Sequence, residues 1–184
     1  MRGSSVVGAA IVDSHNRWVT IHGTQYMIVR DCVGYRSVGH GFFLEDGTEV
    51  YNLLHRNLGV NAFDGKRLPR QALPFDPNDG AAFWWANGRN TLTDNVACEN
   101  DRYGFRYDSQ KRSNFDSNLP VLMPDGKEKT VDIRSLAISR FSNNESHSER
   151  LYSVALSGTD GVGPDTQDPH RINGLKIWQT HYAL

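Results

Sequence analysis

The chain is poor in everything that staples, spans or strongly charges a protein. Its two cysteines, Cys32 and Cys98, are too few for a disulfide scaffold and lack the CxxC spacing of a zinc or redox site, so both read as small buried residues. No apolar run approaches the ~20 residues of a membrane-spanning helix. The start, MRGSSVVGAAIVDSH, shows no cleavage-site pattern of a signal peptide. Lysine and arginine number 20 against 21 aspartates and glutamates, giving a net charge of −1 and a pI near 6.6. That balance excludes a global basic field for nucleic acid and leaves anion recognition to local groups. There is no GxSxG elbow, no P-loop, no dinucleotide fingerprint and no HExxH among the 7 histidines. A hydrolase built on this chain would work through carboxylates, histidine or a metal-bound water. Apolar spacing of i, i+3, i+4 is missing as well, and 17 glycines among abundant Asn and Asp leave no place for a long helix.

What the sequence has is a repeat. Aligning MIVRDCVGY (27–35), NLLHRNLGV (52–60) and NTLTDNVAC (90–98) puts Cys32, Asn57 and Asn95 in one column, and RFSNNESHS adds Asn144. Nine residues beyond Cys32, Asn95 and Asn144 come Gly41, Gly104 and Ser153, inside the strand-like segments HGFFL, YGFRY and YSVAL. The second coil falls out of step only through an insertion in VNAFDGKRLPRQALPFDPNDG, ahead of AAFWW, and a weak further copy, GLKIWQTHY, lies near the C-terminus. A period of about 25 residues, built of short alternating strands and Gly, Asn and Asp turns, predicts a parallel β-helix with about three strands per coil. A leucine-rich repeat would need a helical half that no copy has. With 184 residues and 38% hydrophobic content, residues 1–184 are expected to form one all-β solenoid domain. Insertions are expected at about 61–80 and 109–131.

Strand parity sends Phe42, Phe83, Phe105 and Val154, with Leu44, Trp85, Tyr107 and Leu156, to the inside. Phe43, Trp84 and Arg106, then Glu45, Ala86 and Asp108, face outward. Asn57, Asn95 and Asn144 are expected to form a structural ladder, because Asn tolerates the left-handed backbone of a sharp turn and its amide bonds the copies above and below.

The runs HNRWVTIHGTQ, RDCVGY, GHGFFLEDGTE, NLLHRNLGV, FWWANGRNTLTDNVAC, YGFRY and FSNNESHS carry a family likeness. Over about residues 10–182 the chain resembles the right-handed β-helix region of the cell-migration-inducing and transmembrane hyaluronidase-like proteins and their bacterial relatives. The resemblance implies a right-handed helix and a secreted or surface-exposed, carbohydrate-directed protein that handles hyaluronan or another glycan. The glycine-rich domain that precedes the helix in such proteins has no counterpart in this sequence, so a fragment of a longer protein is expected, and the family's catalytic residues are not carried over.

The outward column Phe43, Trp84, Arg106 offers flat rings to sugars and a guanidinium to a carboxylate, provided the first insertion leaves it open rather than folding back over it. Lys66, Arg67 and Arg70 on that insertion, and Lys111, Arg112, Lys127 and Lys129 on the second, add local positive charge. Glu45 and Asp108 should lie two coils apart, about 9–10 Å, near the upper separation of an inverting glycosidase's carboxylates. The plainer reading is solvated surface acids. His40 is the third acid–base candidate, at a turn where other coils carry Ala81 and Tyr103. Asp46, Glu49 and Asp79 sit in oxygen-rich clusters, LEDGTE and DPNDG, suited to Ca²⁺, although neither has the spacing of a calcium loop and Asp46 also suits a plain Asp-Gly turn. His22, His40 and His55 would serve zinc only if folding brought them together.

Three functions follow. The chain binds or hydrolyses an acidic, hyaluronan-like polysaccharide; or it is a Ca²⁺-assisted hydrolase of a small ester or lactone; or it is a non-catalytic glycan-binding or structural module. Partners are then a polysaccharide or small-molecule substrate, with no nucleic acid and no membrane span. The open coil ends add the expectation of a homo-oligomer or a cap.

Overall fold

The computed structural model of the protein describes residues 4–70, 72–109, 113–157 and 167–184. Three parallel sheets wind into a tube, each of the first five coils giving one short strand to each sheet and the last giving one to each of the first two. The first sheet stacks Ser5–Val7, Ile28–Arg30, Leu53–His55, Thr91–Thr93, Arg140–Ser142 and Ile172–Asn173 in that order. The second stacks Ala10–Ser14, Val33–Val38, Leu58–Phe63, Val96–Cys98, Glu145–His147 and Lys176–Trp178. The third stacks Val19–Ile21, Phe42–Leu44, Ala81–Trp85, Tyr103–Asp108 and Tyr152–Ser157. This is the parallel β-helix that the repeat predicts, three strands to a coil.

Register piles like residues into inward files. Val6, Val29, Leu54, Leu92, Phe141 and Ile172 form one. Val19, Phe42, Phe83, Phe105 and Val154 form another, with the rings of Phe42, Phe83 and Phe105 stacked at 5.0 and 4.8 Å. The file from the second sheet runs Ile11, Gly34, Gly59, Ala97, Ser146 and Ile177, small in its middle. Its glycines leave room for Trp18: a Cβ on Gly34 or on Gly41 would come within 2.2 Å of the indole, and one on Gly59 within 3.0 Å.

The corners explain the asparagines. Cys32 N–H donates to Asn57 Oδ1 at 3.1 Å, Asn57 N–H to Asn95 Oδ1 at 3.0 Å, and Asn95 N–H to Asn144 Oδ1 at 3.0 Å. The ladder therefore forms, but its members do not hold the left-handed backbone. Asp31, Arg56, Asp94 and Asn143, each one residue earlier, have φ between 51° and 57°. The turn frees the next N–H from the sheet, and the amide one coil on receives it. The other two corners repeat the device. Met27 N–H donates to Asn52 Oδ1 and Asn52 N–H to Asn90 Oδ1. Ala62 N–H donates to Asn100 Oδ1 and Asn100 N–H to Glu149 Oε2. Cys32 lies in the core, whereas Cys98, expected buried, is half-exposed on the outer face of the second sheet.

Two excursions leave the coils, one on entry to the third sheet and one on exit from it. The first runs from Asp64 to Gly80. The second follows Asp108 and contains an antiparallel hairpin, Asn118–Leu122 with Glu128–Asp132, and a 3₁₀ turn, Ile133–Ser135, capped by the Asp132 carboxylate on Arg134 N–H, before the coil resumes at Arg140. Both fold back over the outside of the third sheet. Leu73, Phe75, Val121, Ile133 and Leu136 pack there on Phe43, Trp84 and Ala86, making a second core. The stretch 158–166 lies outside the described residues.

Candidate functional site

The covered face corrects the expected groove. Phe43 is 1% exposed and Trp84 0%, so neither ring faces solvent, because the first insertion sets Phe75 against Trp84 at 6.4 Å. Arg106 is in register with Trp84 but already holds a carboxylate: Nε and Nη2 donate to Asp108 Oδ2 at 3.0 and 2.6 Å, and the guanidinium lies 4.2 Å over the Tyr103 ring. Burial is the largest influence and works against that charge, yet Asp108, Tyr103 and Asp79 together outweigh it and raise the Arg106 pKa. Asp108 itself is fully buried, so it is not the solvated partner of Glu45 that the column suggested.

His40 is also buried, its ring packed against both Phe43 at 5.5 Å and Trp84 at 5.7 Å. Its Nδ1 accepts from Ala81 N–H at 3.0 Å, so Nε2 carries the proton and donates to Asp76 Oδ1 at 2.7 Å. Asp76 Oδ1 also accepts from Asn78 N–H at 2.8 Å, and Arg17 Nη2 stands 3.6 Å from Oδ2. Burial pushes the Asp76 carboxyl up, but His40, the Asn78 amide and Arg17 together hold it below the ordinary range. Burial also depresses the Arg17 pKa against the pull of Asp76 and Glu45. That guanidinium lies 4.1 Å over Phe43 and donates to Asn78 Oδ1. The GHG motif is thus a clasp: Gly39, at φ 101°, leaves the space that Asn78 and Arg17 occupy, and His40 ties the insertion to the coil.

On the open side of this clasp lies a cleft of about 610 Å³, walled by His15, Asn16, Val38, Asp64, Lys66 and Leu68 and floored by Asn78. Asn78 joins cleft and clasp, since its Nδ2 donates to Lys66 O at 2.8 Å while Oδ1 takes Arg17. Of the expected basic residues, Lys66 alone lines the cleft; Arg67 donates to Pro74 O within its own loop, and Arg70 is exposed. Lys111 and Arg112 lie outside the described residues. On the second insertion, Lys129 pairs with Asp125 at 3.5 Å and Lys127 is exposed.

The metal candidates do not assemble. Asp46 and Glu45 flank the exposed His22 at 3.1 and 3.4 Å, while Glu49 Oε1 accepts from Asp46 N–H and Gly23 N–H at 2.9 and 3.0 Å, closing a turn. Burial raises Glu49 to about 7. Burial raises the Asp79 carboxyl, whose neighbours are instead Arg106, which opposes the rise, Asp76, which adds to it, and His40. His55 bonds Thr93 at 2.9 Å, so His22, His40 and His55 stay apart. Among the described residues no three His, Cys, Asp or Glu side chains form a group that could hold a metal. Sequence reading missed Arg17, Asn78, His15 and Asn16. The DPND turn of residues 76–79 was the one available signal, since it places an acid and an amide two residues apart at the tip of an insertion.

Residues 1–154 match the CEMIP beta-helix family. The chain belongs to that family. As a CEMIP β-helix it is 32% identical over 181 residues to Fibrocystin-L of Mus musculus, covering 95% of this chain and 4% of that protein. It is 31% identical over 162 residues to the Cell surface hyaluronidase CEMIP2 of Homo sapiens, covering 78% and 11%. It is 28% identical over 172 residues to the human Cell migration-inducing and hyaluronan-binding protein, covering 83% and 12%. This CEMIP β-helix therefore spans a small part of each of these relatives. Within it, the inner files and amide ladders build the scaffold, and the first insertion builds the cleft.

Proposed function

We propose that this CEMIP β-helix binds an acidic polysaccharide of the hyaluronan type, at a cell surface or outside the cell, through the cleft beside its first insertion. The observation that carries the reading is Lys66. It stands exposed at the cleft mouth with no ion-pair partner among the described residues, next to His15 and Asn16, above a floor amide held by Arg17. An unpaired ammonium beside amide and imidazole donors suits a sugar carboxylate and hydroxyls. Relatives named for hyaluronan support the ligand class.

Binding is favoured over hydrolysis because two of the three acid–base candidates, His40 and Asp108, are sealed and bonded to protein groups. An inverting pair needs a water between two accessible carboxyl groups. The test is the affinity for immobilised hyaluronan beside a neutral polysaccharide. Lys66→Glu should weaken hyaluronan binding at least about fivefold at low salt, with the affinity of the unmodified chain falling as salt rises. Equal affinity for both polysaccharides, or a Lys66→Glu variant that binds as tightly, removes the cleft from the account.

A further inference from the structure

The cleft beside the first insertion does not end at its His15 and Val38 walls. Both residues also line a second hollow of about 310 Å³, completed by Asp13, Arg36 and Phe63, so the two open into one another along the side of the tube. Register fixes how they lie. Val38 pairs with Phe63 on the next coil, and Ser14 with Ser37, which sets His15 beside Val38. Arg36 precedes Val38 by two residues and Lys66 follows Phe63 by three, so the two cations stand on opposite sides of one shared rung. That rung is open, with Val38 43% exposed and Phe63 half-buried.

A break in the strand turns Arg36 outward. Straight alternation would send it inward with Gly34, but its φ of 59° interrupts the pleat, and residues 35 and 36 are both exposed. Its guanidinium is only partly used: Nε lies 3.1 Å from Asp13 Oδ1, and its terminal nitrogens have no partner among the described residues. Both side chains of that pair are more than half exposed, so it holds its members weakly. Asp64, the acid of the first cleft, is held by Arg102 at 3.9 Å. Lys66 and the open edge of Arg36 are left to face a ligand.

We propose that cleft and hollow are two subsites of one groove, which takes a stretch of acidic polysaccharide with one acid group at Lys66 and the next at Arg36. The proposal rests on the reading of the Lys66 cleft and extends it. A guanidinium edge takes a carboxylate through two parallel N–H bonds, and Val38 with Phe63 offers an apolar saddle to the C–H face of the sugar between. The polymer then runs with the strands, round the tube rather than along its axis. An oligosaccharide with a single acid fills the Lys66 end alone.

Chain length separates the subsites. NMR titration with a hyaluronan disaccharide, which carries one carboxylate, and an octasaccharide, which carries four, should show the octasaccharide bound more tightly at low salt. Arg36→Gln should weaken the octasaccharide about fivefold and leave the disaccharide unchanged, whereas Lys66→Glu weakens both. Asp13→Asn breaks the same ion pair but removes a competitor for Arg36, so it should tighten the octasaccharide. A pair that served only the fold would make both substitutions act in one direction, and that result overturns the proposal. So does an Arg36→Gln variant that weakens both sugars alike, or neither while Lys66→Glu is impaired. A Lys66→Glu variant that binds both sugars normally strikes the cleft reading itself, and the extension with it. Arg36 and Asp13 are exposed, and circular dichroism confirms that the variants fold before titration.

Discussion

Replacing Asn95 by alanine isolates what the amide ladder contributes. Asn95 is fully buried, and its Oδ1 accepts both Asn57 N–H and Asn57 Nδ2 at 3.0 Å, while its Nδ2 donates to Leu54 O at 2.9 Å and to Asn144 Oδ1 at 3.1 Å. Alanine strands the Asn57 N–H, which costs about 1–3 kcal/mol, and forfeits further bonds at about 0.5–1.5 kcal/mol each. Some of those partners keep another bond, as Asn57 Nδ2 does with Val29 O. The expected loss is about 3–5 kcal/mol, read from the urea midpoint at unchanged slope. The first rung supplies the converse. Cys32 fills the amide's place with its thiol 3.6 Å from Val6 O, so Cys32→Asn should gain about 0.5–1.5 kcal/mol by extending the ladder one coil. A loss below about 1 kcal/mol in Asn95→Ala would mean that the corners are held by backbone pairing and core alone, and the ladder would be ornament.

Further outcomes follow from groups elsewhere in the fold. Burial raises the Glu149 carboxyl from 4.5 to about 7 against the opposing bonds from Asn100 and Ser146. The folded chain therefore keeps a proton that the unfolded chain has lost, and this stabilisation is full below about 4.5 and fades as pH climbs through about 7, an effect on the order of 3 kcal/mol. Glu49, raised to the same region, adds the same slope. The urea midpoint should fall between about pH 5 and about pH 8, and less so in Glu149→Gln; a midpoint that rises over that interval rejects the assignment. Phe75 is 4% exposed over Trp84 and meets Phe115 edge-on at 5.0 Å, so Phe75→Ala should cost about 3–5 kcal/mol and red-shift tryptophan emission. An unshifted spectrum with a cost under about 1 kcal/mol would show that the insertion does not seal the stripe.

The scaffold was legible because it obeys a period. Asn57, Asn95 and Asn144 repeat at one phase, and Phe42, Phe83 and Phe105 follow at a fixed offset, so neighbours along the tube are neighbours in an alignment. The second and third ladders carried a signal of the same kind, since Asn90, Asn95 and Asn100 are evenly spaced and Asn52 precedes Asn90, but Met27, Ala62 and Glu149 stand at other rungs and blur the columns. The left-handed corners were assigned to the wrong residue because Asp31, Arg56, Asp94 and Asn143 share a backbone angle and no common side chain. The site was the least legible part. Parity correctly turned Phe43, Trp84 and Arg106 away from the tube, yet what lies outside a strand depends on where an insertion lands. The meeting of Asp76 and Asn78 with His40 and Arg17 spans coils with no periodic relation. Likewise Arg106 looked available to a ligand only because the sequence does not say that Asp108, two residues on, folds back to it.

The slot around Trp18 has a bearing on how such a chain could evolve. One indole from the first coil fills volume vacated by Gly34 and Gly41 on the second and Gly59 on the third, so these three turns are keyed to one another like wards to a lock. Duplication or loss of a whole turn, the ordinary route by which tandem arrays change length, would leave that ring either homeless or in collision. Growth and shrinkage by whole repeats are therefore excluded between Trp18 and Gly59, and these turns are inherited as one block.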